Sequence, residues 1–262
     1  MTFTLDDDLA VAQVLAAEAD LIAIDRYRSQ DLDVQLKPDR TQVTDADTRV
    51  EKMIRAHLAD ARPGDAILGE EGGTSGSGSR RWIVDPIDGT SNFVRGVPIW
   101  GALIALEIDG TPQVGVVSAP ALGLRWWAAT GHGAWRQEHG GEPRRIAVSG
   151  IADLAEATLV YNSLKGWDEA GRLDQLIDLS RAVGRTRAFG DLWSYMLLAE
   201  GAVDVVGEFD LKPWDIAALV PIVREAGGRV SDADGADRID TGSLLATNGV
   251  LHDEILRRVG SR

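Results

Sequence analysis

The chain has 262 residues, 44% of them hydrophobic, enough for one large core or two smaller ones. It has no cysteine, which excludes disulfides, and no stretch approaches the ~18–20 apolar residues of a membrane span. A formal net charge of −14 argues against a nucleic-acid partner, and the acidic start Leu5-Asp6-Asp7-Asp8 is unlike a signal peptide, so a cytoplasmic protein is expected.

Residues 8–28 read as an amphipathic helix through Val11, Val14, Leu15, Leu21 and Ile22. A second helix is expected after Thr44-Asp45-Ala46-Asp47, where Val50, Met53, Ile54 and Leu58 keep the helical period. Thr44 and Asp47 fit a capping box, so capping alone can explain that pair. The apolar run Ala66-Ile67-Leu68 then reads as a strand ending in Gly69-Glu70-Glu71-Gly72-Gly73, which either aims Glu70 or forms a solvated turn. Residues 72–79, rich in Gly and Ser, are expected to form a mobile flap or a plain flexible loop.

The most informative segment is WIVDPIDGTSNF at residues 82–93. Ile83 and Val84 are β-branched and predict a buried strand, whose hydrogen bonding Pro86 is expected to end. Asp85 and Asp88 then share one loop, and like charges that close call for a cation between them. Gly89-Thr90-Ser91-Asn92 can open a helix whose free backbone N–H groups attract a phosphate oxygen. The alternative is an ordinary Asp-Gly surface turn.

Beyond it, residues 99–108, 114–119, 125–129 and the segment near Ala134 predict an antiparallel sheet, with a boundary near Gly150. Strands at 158–161, 203–206 and 243–246 are then expected to alternate with helices at 173–182, 192–200, 215–226 and 252–259. Asp215 falls in a first helical turn, where the helix dipole alone favours an acid, and Pro221 should kink or restart that helix. The histidines His57, His132, His139 and His252 show no metal-ligand spacing. Most of the eight tryptophans are expected in the core or at a dimer interface.

Taken together, WIVDPIDGTSNF, the upstream GEE at residues 69–71, and WDIAAL followed by REAGG downstream resemble the inositol monophosphatase family of magnesium-dependent, lithium-sensitive phosphatases. The resemblance spans nearly the whole chain. It implies a layered αβαβα sandwich of the inositol monophosphatase and fructose-1,6-bisphosphatase type, in which an α+β half precedes an α/β half. Residues 1–150 would hold the antiparallel sheet and most metal ligands, and residues 151–262 would hold Asp215 and the specificity residues. By the same resemblance, Glu70, Asp85 and the carbonyl of Ile87 bind one metal, while Asp85, Asp88 and Asp215 bind a second. A third, weaker metal leans on Glu70 and, through water, on Asp47. Oxygen-only donors suit Mg²⁺, two to three ions in all. Thr90 with Asp47 orients the attacking water beside Asp88, and Gly89, Thr90 and Ser91 cradle the phosphate. The family is usually dimeric, so a homodimer acting on a small phosphate ester is expected.

Residues 116–135, the stretch WDIAALVPIVREAGG, and residues 246–255 resemble the histidinol-phosphate phosphatases of this superfamily. That implies hydrolysis of L-histidinol phosphate, a step of histidine biosynthesis. Asp191, after Phe189-Gly190, and Glu208, seven residues before Asp215, are the candidates for meeting the cationic leaving group. Arg187 is expected to touch the phosphate or Asp191. For Asp191 a helix cap is the competing explanation. For the protein, the alternatives are an inositol-1-monophosphatase or broad-range sugar phosphatase, and more remotely a metal-binding regulatory protein without turnover.

Overall fold

In chain order, the computed structural model, which describes residues 3–260, begins with helix α1 (Leu5–Arg26). Then come β1 (Val34–Leu36), β2 (Gln42–Thr44), α2 (Asp45–Ala61), β3 (Ala66–Gly69), β4 (Gly73–Ser75), β5 (Arg80–Asp88) and α3 (Thr90–Arg95). Next are β6 (Gly101–Ile108), β7 (Thr111–Ala119), β8 (Leu124–Ala129), β9 (Ala134–Glu138) and β10 (Arg144–Arg145). The second half holds β11 (Thr158–Tyr161), α4 (Leu164–Glu169), α5 (Leu173–Ala182), β12 (Arg185–Arg187), α6 (Asp191–Ala199) and β13 (Val205–Phe209). It ends with α7 (Pro213–Ile216), α8 (Leu219–Glu225), β14 (Arg229–Ser231), β15 (Ser243–Thr247) and α9 (His252–Val259).

Among the described residues the strands form two large sheets, one of eight strands ordered β10-β9-β8-β7-β6-β5-β3-β4 and one of five ordered β12-β11-β13-β15-β14. Helices α1 and α2 cover the outer face of the first sheet, and α6 and α8 fill the space between the sheets. Helices α5 and α9 pack together outside the second sheet, beside a core that includes Leu176, Leu179, Ile255 and Val259. This is the expected αβαβα order. The central layer buries side chains from both halves, such as Ile83, Leu103 and Trp126 against Met196, Val206 and Leu244. Apolar faces on both sides of each sheet require such stacking, because each needs a partner layer to exclude water. No helix among the described residues is long and apolar enough to cross a membrane.

Several local expectations change. Helix α1 starts at Leu5 rather than Asp8, because Thr4 and Asp7 form a capping box and three aspartates occupy the first turn. Its inward stripe is Ala12, Leu15, Ala16, Ala19 and Ala23, whereas Val14 and Leu21 are exposed. Small side chains let this helix lie close to β6 and β7. Part of the Gly/Ser stretch is ordered as β4, an antiparallel edge strand on β3. Pro86 does not end β5; the strand continues to Asp88 through a register shift. The run expected at 215–226 does restart on account of Pro221: it is split into α7 and α8 at Ala217-Ala218, four residues before the proline, where Pro221 has no N–H to give the Ala217 carbonyl. Four tryptophans, Trp82, Trp100, Trp126 and Trp167, are almost fully buried.

Candidate active site

The acidic end of β5 is shaped by its register against β6. Asp85 pairs with Leu103 and Asp88 with Gly101, so three steps on one strand face two on the other. Such a bulge turns the strand and re-aims its side chains, here bringing both carboxylates to one cleft. Asp215, at the start of α7, joins them: one carboxylate oxygen from each of Asp85, Asp88 and Asp215 lies within 4.8 Å of the other two. Asp215 is held by the Lys212 backbone N–H, which donates to its Oδ2 at 2.7 Å. Asp85 Oδ1 accepts from the Ile87 N–H at 3.0 Å. Asp88 Oδ2 accepts from the Leu192 N–H at 2.6 Å, so a residue on β5 satisfies a first-turn donor of α6.

The electrostatics of this group follow from burial among like charges. Burial, then Glu70, Asp88 and Asp215, push Asp85 well above the usual carboxylate range. Burial, then Asp191 and Asp215, do the same to Asp88. Burial raises Asp215 to about 7. Carboxylates crowded in this way cannot all carry charge without a compensating cation. The donor set is entirely oxygen, which fits a hard divalent cation.

Glu70 stands apart from that trio. Its Oε1 accepts from Lys37 Nζ at 2.7 Å, and the same ammonium reaches Glu71 Oε1 at 2.7 Å. The two carboxylates in turn push Lys37 above its ordinary range, outweighing its burial. Lys37, in the turn between β1 and β2, was not marked by any sequence pattern; a lone Lys-Pro in a turn has no distinguishing spacing. Glu70 nevertheless acts on Asp85 and Asp215 through its charge.

Asp47 does two things at once. Its Oδ2 accepts from the Thr44 N–H at 2.8 Å and closes the capping box of α2. Its Oδ1 faces the Thr90 hydroxyl at 3.2 Å, while that hydroxyl lies 2.9 Å from the Ile87 carbonyl oxygen. Burial raises Asp47 to about 6. Thr90 opens α3 behind Gly89, whose φ of +80° favours glycine and where a Cβ would come within 3.0 Å of the Ile99 carbonyl. Ser91, next in the turn, is exposed.

On the other side of Asp88 and Asp215 lies a cavity of about 370 Å³, also lined by Asn162, Asp191, Tyr195 and Glu208. Glu208 is buried and accepts from Asn162 Nδ2 at 2.6 Å and Tyr195 OH at 3.0 Å. Burial dominates and raises it to about 8. Asp191 is not a helix cap. It is the first residue of α6, in the left-handed region at φ +49°, and Gly190 precedes it at φ +74°. Its Oδ2 accepts from Asn92 Nδ2 at 2.8 Å, and the same amide donates to the Ile99 carbonyl at 2.8 Å. Burial raises Asp191 to about 6. Arg187 does not make the expected contact with Asp191: it is exposed on the edge strand β12, and its Nη1 donates to the Thr186 carbonyl at 2.7 Å. Asn162 and Tyr195 were missed because only the tertiary fold brings them to Glu208.

With this geometry in hand, the chain belongs to the inositol monophosphatase family, whose model it matches over residues 4–261. It is therefore a phosphatase by class. A histidinol-phosphatase of Mycobacterium tuberculosis is 52% identical over 256 residues, covering 97% of this chain and 98% of that protein. A histidinol-phosphatase of Streptomyces coelicolor is 50% identical over 260 residues, covering 98% of each. Among solved structures, the extragenic suppressor protein SuhB of Bartonella henselae superposes with a TM-score of 0.85 at 32% identity, over 95% of this chain and 97% of that one.

Proposed function

We propose that this protein is a Mg²⁺-dependent, lithium-sensitive phosphomonoesterase that hydrolyses L-histidinol phosphate to L-histidinol and phosphate, working as a homodimer in the cytoplasm. The observation that carries the substrate is the acidic pocket beside the trio: Asp191 and Glu208 line the same cavity as Asp88 and Asp215. Histidinol offers an ammonium and an imidazole to such a pocket, whereas inositol offers only hydroxyls. Relatives at 50% and 52% identity that bear the histidinol-phosphatase name support the same choice.

Asp85, Asp88 and Asp215, with Glu70 and the Ile87 carbonyl, would hold two to three ions. When bound, these supply positive charge to the phosphoryl oxygens, lower the pKa of a water and favour an in-line displacement. The chain supplies the rest. The single Thr90 hydroxyl proton can go to the Ile87 carbonyl at 2.9 Å or to Asp47 at 3.2 Å; once a cation takes that carbonyl it would go to Asp47, leaving the hydroxyl oxygen to accept from the attacking water and orient it. Asp47 stands against that hydroxyl, placed to take the proton relayed through Thr90. The N–H groups of Gly89, Thr90 and Ser91 at the start of α3 have no intrahelical acceptors, as at any helix N-terminus, and suit a phosphate oxygen. Asp191 and Glu208 then receive the cationic end of the leaving group, whose charge would draw the Glu208 carboxyl, raised to about 8 by burial, back to its ionised form. Transition-state stabilisation in this scheme is electrostatic and positional.

The test is phosphate release from L-histidinol phosphate and myo-inositol 1-phosphate, with Mg²⁺, with chelator and with added Li⁺. A kcat/KM favouring histidinol phosphate, abolished by chelator, supports the proposal. A preference for the inositol ester would move the protein to the inositol-phosphatase reading.

A further inference from the structure

One buried acid near the site is used by none of these steps. Glu51 lies one helical turn after Asp47 on α2, on the same face, and is only 2% exposed. Its oxygens are taken by the backbone that follows Glu70. Oε2 accepts from the Glu71 N–H at 2.7 Å, and Oε1 accepts from the Gly72 N–H at 2.8 Å. Oε1 also pairs with Arg55 Nε at 2.7 Å. Arg55, a further turn along α2, continues the grip: its guanidinium donates to the Gly73 carbonyl and, at 3.0 Å, to Ser75 Oγ on β4.

The glycines explain why this docking is possible. A Cβ at Gly69 would overlap the Glu51 carboxylate, and one at Gly72 would stand 2.7 Å from its Oε1 and 2.9 Å from Arg55 Nε. Two residues flanking Glu70-Glu71 therefore lack side chains where the carboxylate of α2 must enter. Neither needs positive φ at that position, so close approach rather than backbone conformation is what glycine provides there.

We infer that Glu51 is a positioning residue for Glu70: by binding the N–H groups of Glu71 and Gly72, it fixes the Glu70 turn to the helix that carries Asp47. One rigid helix then sets the spacing between Asp47 and Glu70, whose charges act on each other. This rests on reading Glu70 as a cation ligand. Charge-assisted bonds to two consecutive backbone donors give a stiffer hold than a side-chain contact, since they fix the chain itself. Orienting groups of this kind typically change metal affinity by about 10–100-fold when removed.

The test uses the full chain with Glu51→Gln, Gly72→Ala and Glu70→Gln, and three readouts. These are amide hydrogen exchange at Glu71 and Gly72 in metal-free protein, Mg²⁺ binding by calorimetry, and KM against kcat. Glu51→Gln places an amide NH₂ against an N–H donor. It should speed exchange at both amides and weaken Mg²⁺ binding about tenfold. Turnover should fall at limiting Mg²⁺ and recover as Mg²⁺ is raised, with KM for the ester within about twofold. Gly72→Ala leaves Glu51 present and carries the same expectation if Glu51→Gln fails to fold. Unchanged Mg²⁺ affinity in both variants, while Glu70→Gln weakens it, overturns the inference. Unchanged affinity in Glu70→Gln as well removes Glu70 as a ligand, and the inference with it.

Discussion

The two ends of the cleft are built by different means. At the phosphate end, Asp85, Asp88 and Asp215 are aimed by backbone: a register shift in β5, and main-chain N–H groups of Ile87, Leu192 and Lys212 on their oxygens. At the end we assign to the leaving group, Asp191 and Glu208 are aimed by side chains, namely Asn92, Asn162 and Tyr195. Backbone can be rearranged only by refolding, whereas a side-chain network changes with one substitution. The first end is therefore suited to chemistry that stays constant, and the second to a choice of substrate. Asp88 joins them, since it belongs to the trio and also accepts the first-turn N–H of α6, the helix that begins with Asp191.

The comparison can be broken most sharply at the phosphate end. Asp85→Asn, which removes a charge that no neighbour replaces, should lower kcat on the order of 10³-fold in phosphate-release assays, for every ester tested. Thr90→Ala should cost about 10²-fold, and Asp47→Asn a similar factor. Because the two residues act through one hydrogen bond, the double variant should be little worse than either single one. Additive losses would mean that Thr90 and Asp47 work separately.

At the other end, Asp191→Asn should raise KM for histidinol phosphate about tenfold, equivalent to about 1.4 kcal/mol, with kcat and the KM of a neutral sugar phosphate little changed. Equal effects on both esters would remove Asp191 from substrate choice.

Stability should show the same acids by their pH dependence. Glu208, Asp215 and Asp47 are raised to about 8, 7 and 6. A raised carboxyl favours the protonated folded state, so its contribution is complete below the ordinary range near pH 4. It is lost as pH climbs through about 6 to 8. Metal-free protein should thus melt roughly 5 °C lower at about pH 8.5 than at about pH 5.5, and Mg²⁺ should narrow the gap, as scanning calorimetry would record. The smallest effect belongs to Arg187→Ala, which should leave kcat/KM within about twofold, since its guanidinium is turned to the Thr186 carbonyl.

How much of this was legible in the sequence follows the same division. Asp85, Ile87, Asp88, Gly89 and Thr90 lie within six consecutive positions, so a strand running into a helix start already implied that their groups share a cleft. Asp47 had two competing roles in the sequence, cap and site residue, and the structure gives it both contacts because its two oxygens point different ways. Glu51, Asn162 and Tyr195 could not be read: their partners lie 20, 46 and 13 positions away, and nothing in their local pattern differs from an ordinary helix or loop residue, while Asn92 was read as part of a helix start but not as the partner of Asp191. The expected contact of Arg187 with Asp191 failed for a related reason: proximity in sequence does not survive the turn at Gly190. In α1, counting branched side chains gave too much weight to Val14 and Leu21, where close packing had selected alanines instead.

The account rests on a divalent-cation site bounded by Asp85, Asp88 and Asp215. Crystals soaked with Mn²⁺, a Mg²⁺ surrogate with a strong anomalous signal, test it directly. An anomalous peak within coordination distance of all three carboxylates, lost in Asp85→Asn, is the predicted result; no peak there, with hydrolysis undiminished in chelator, would contradict it.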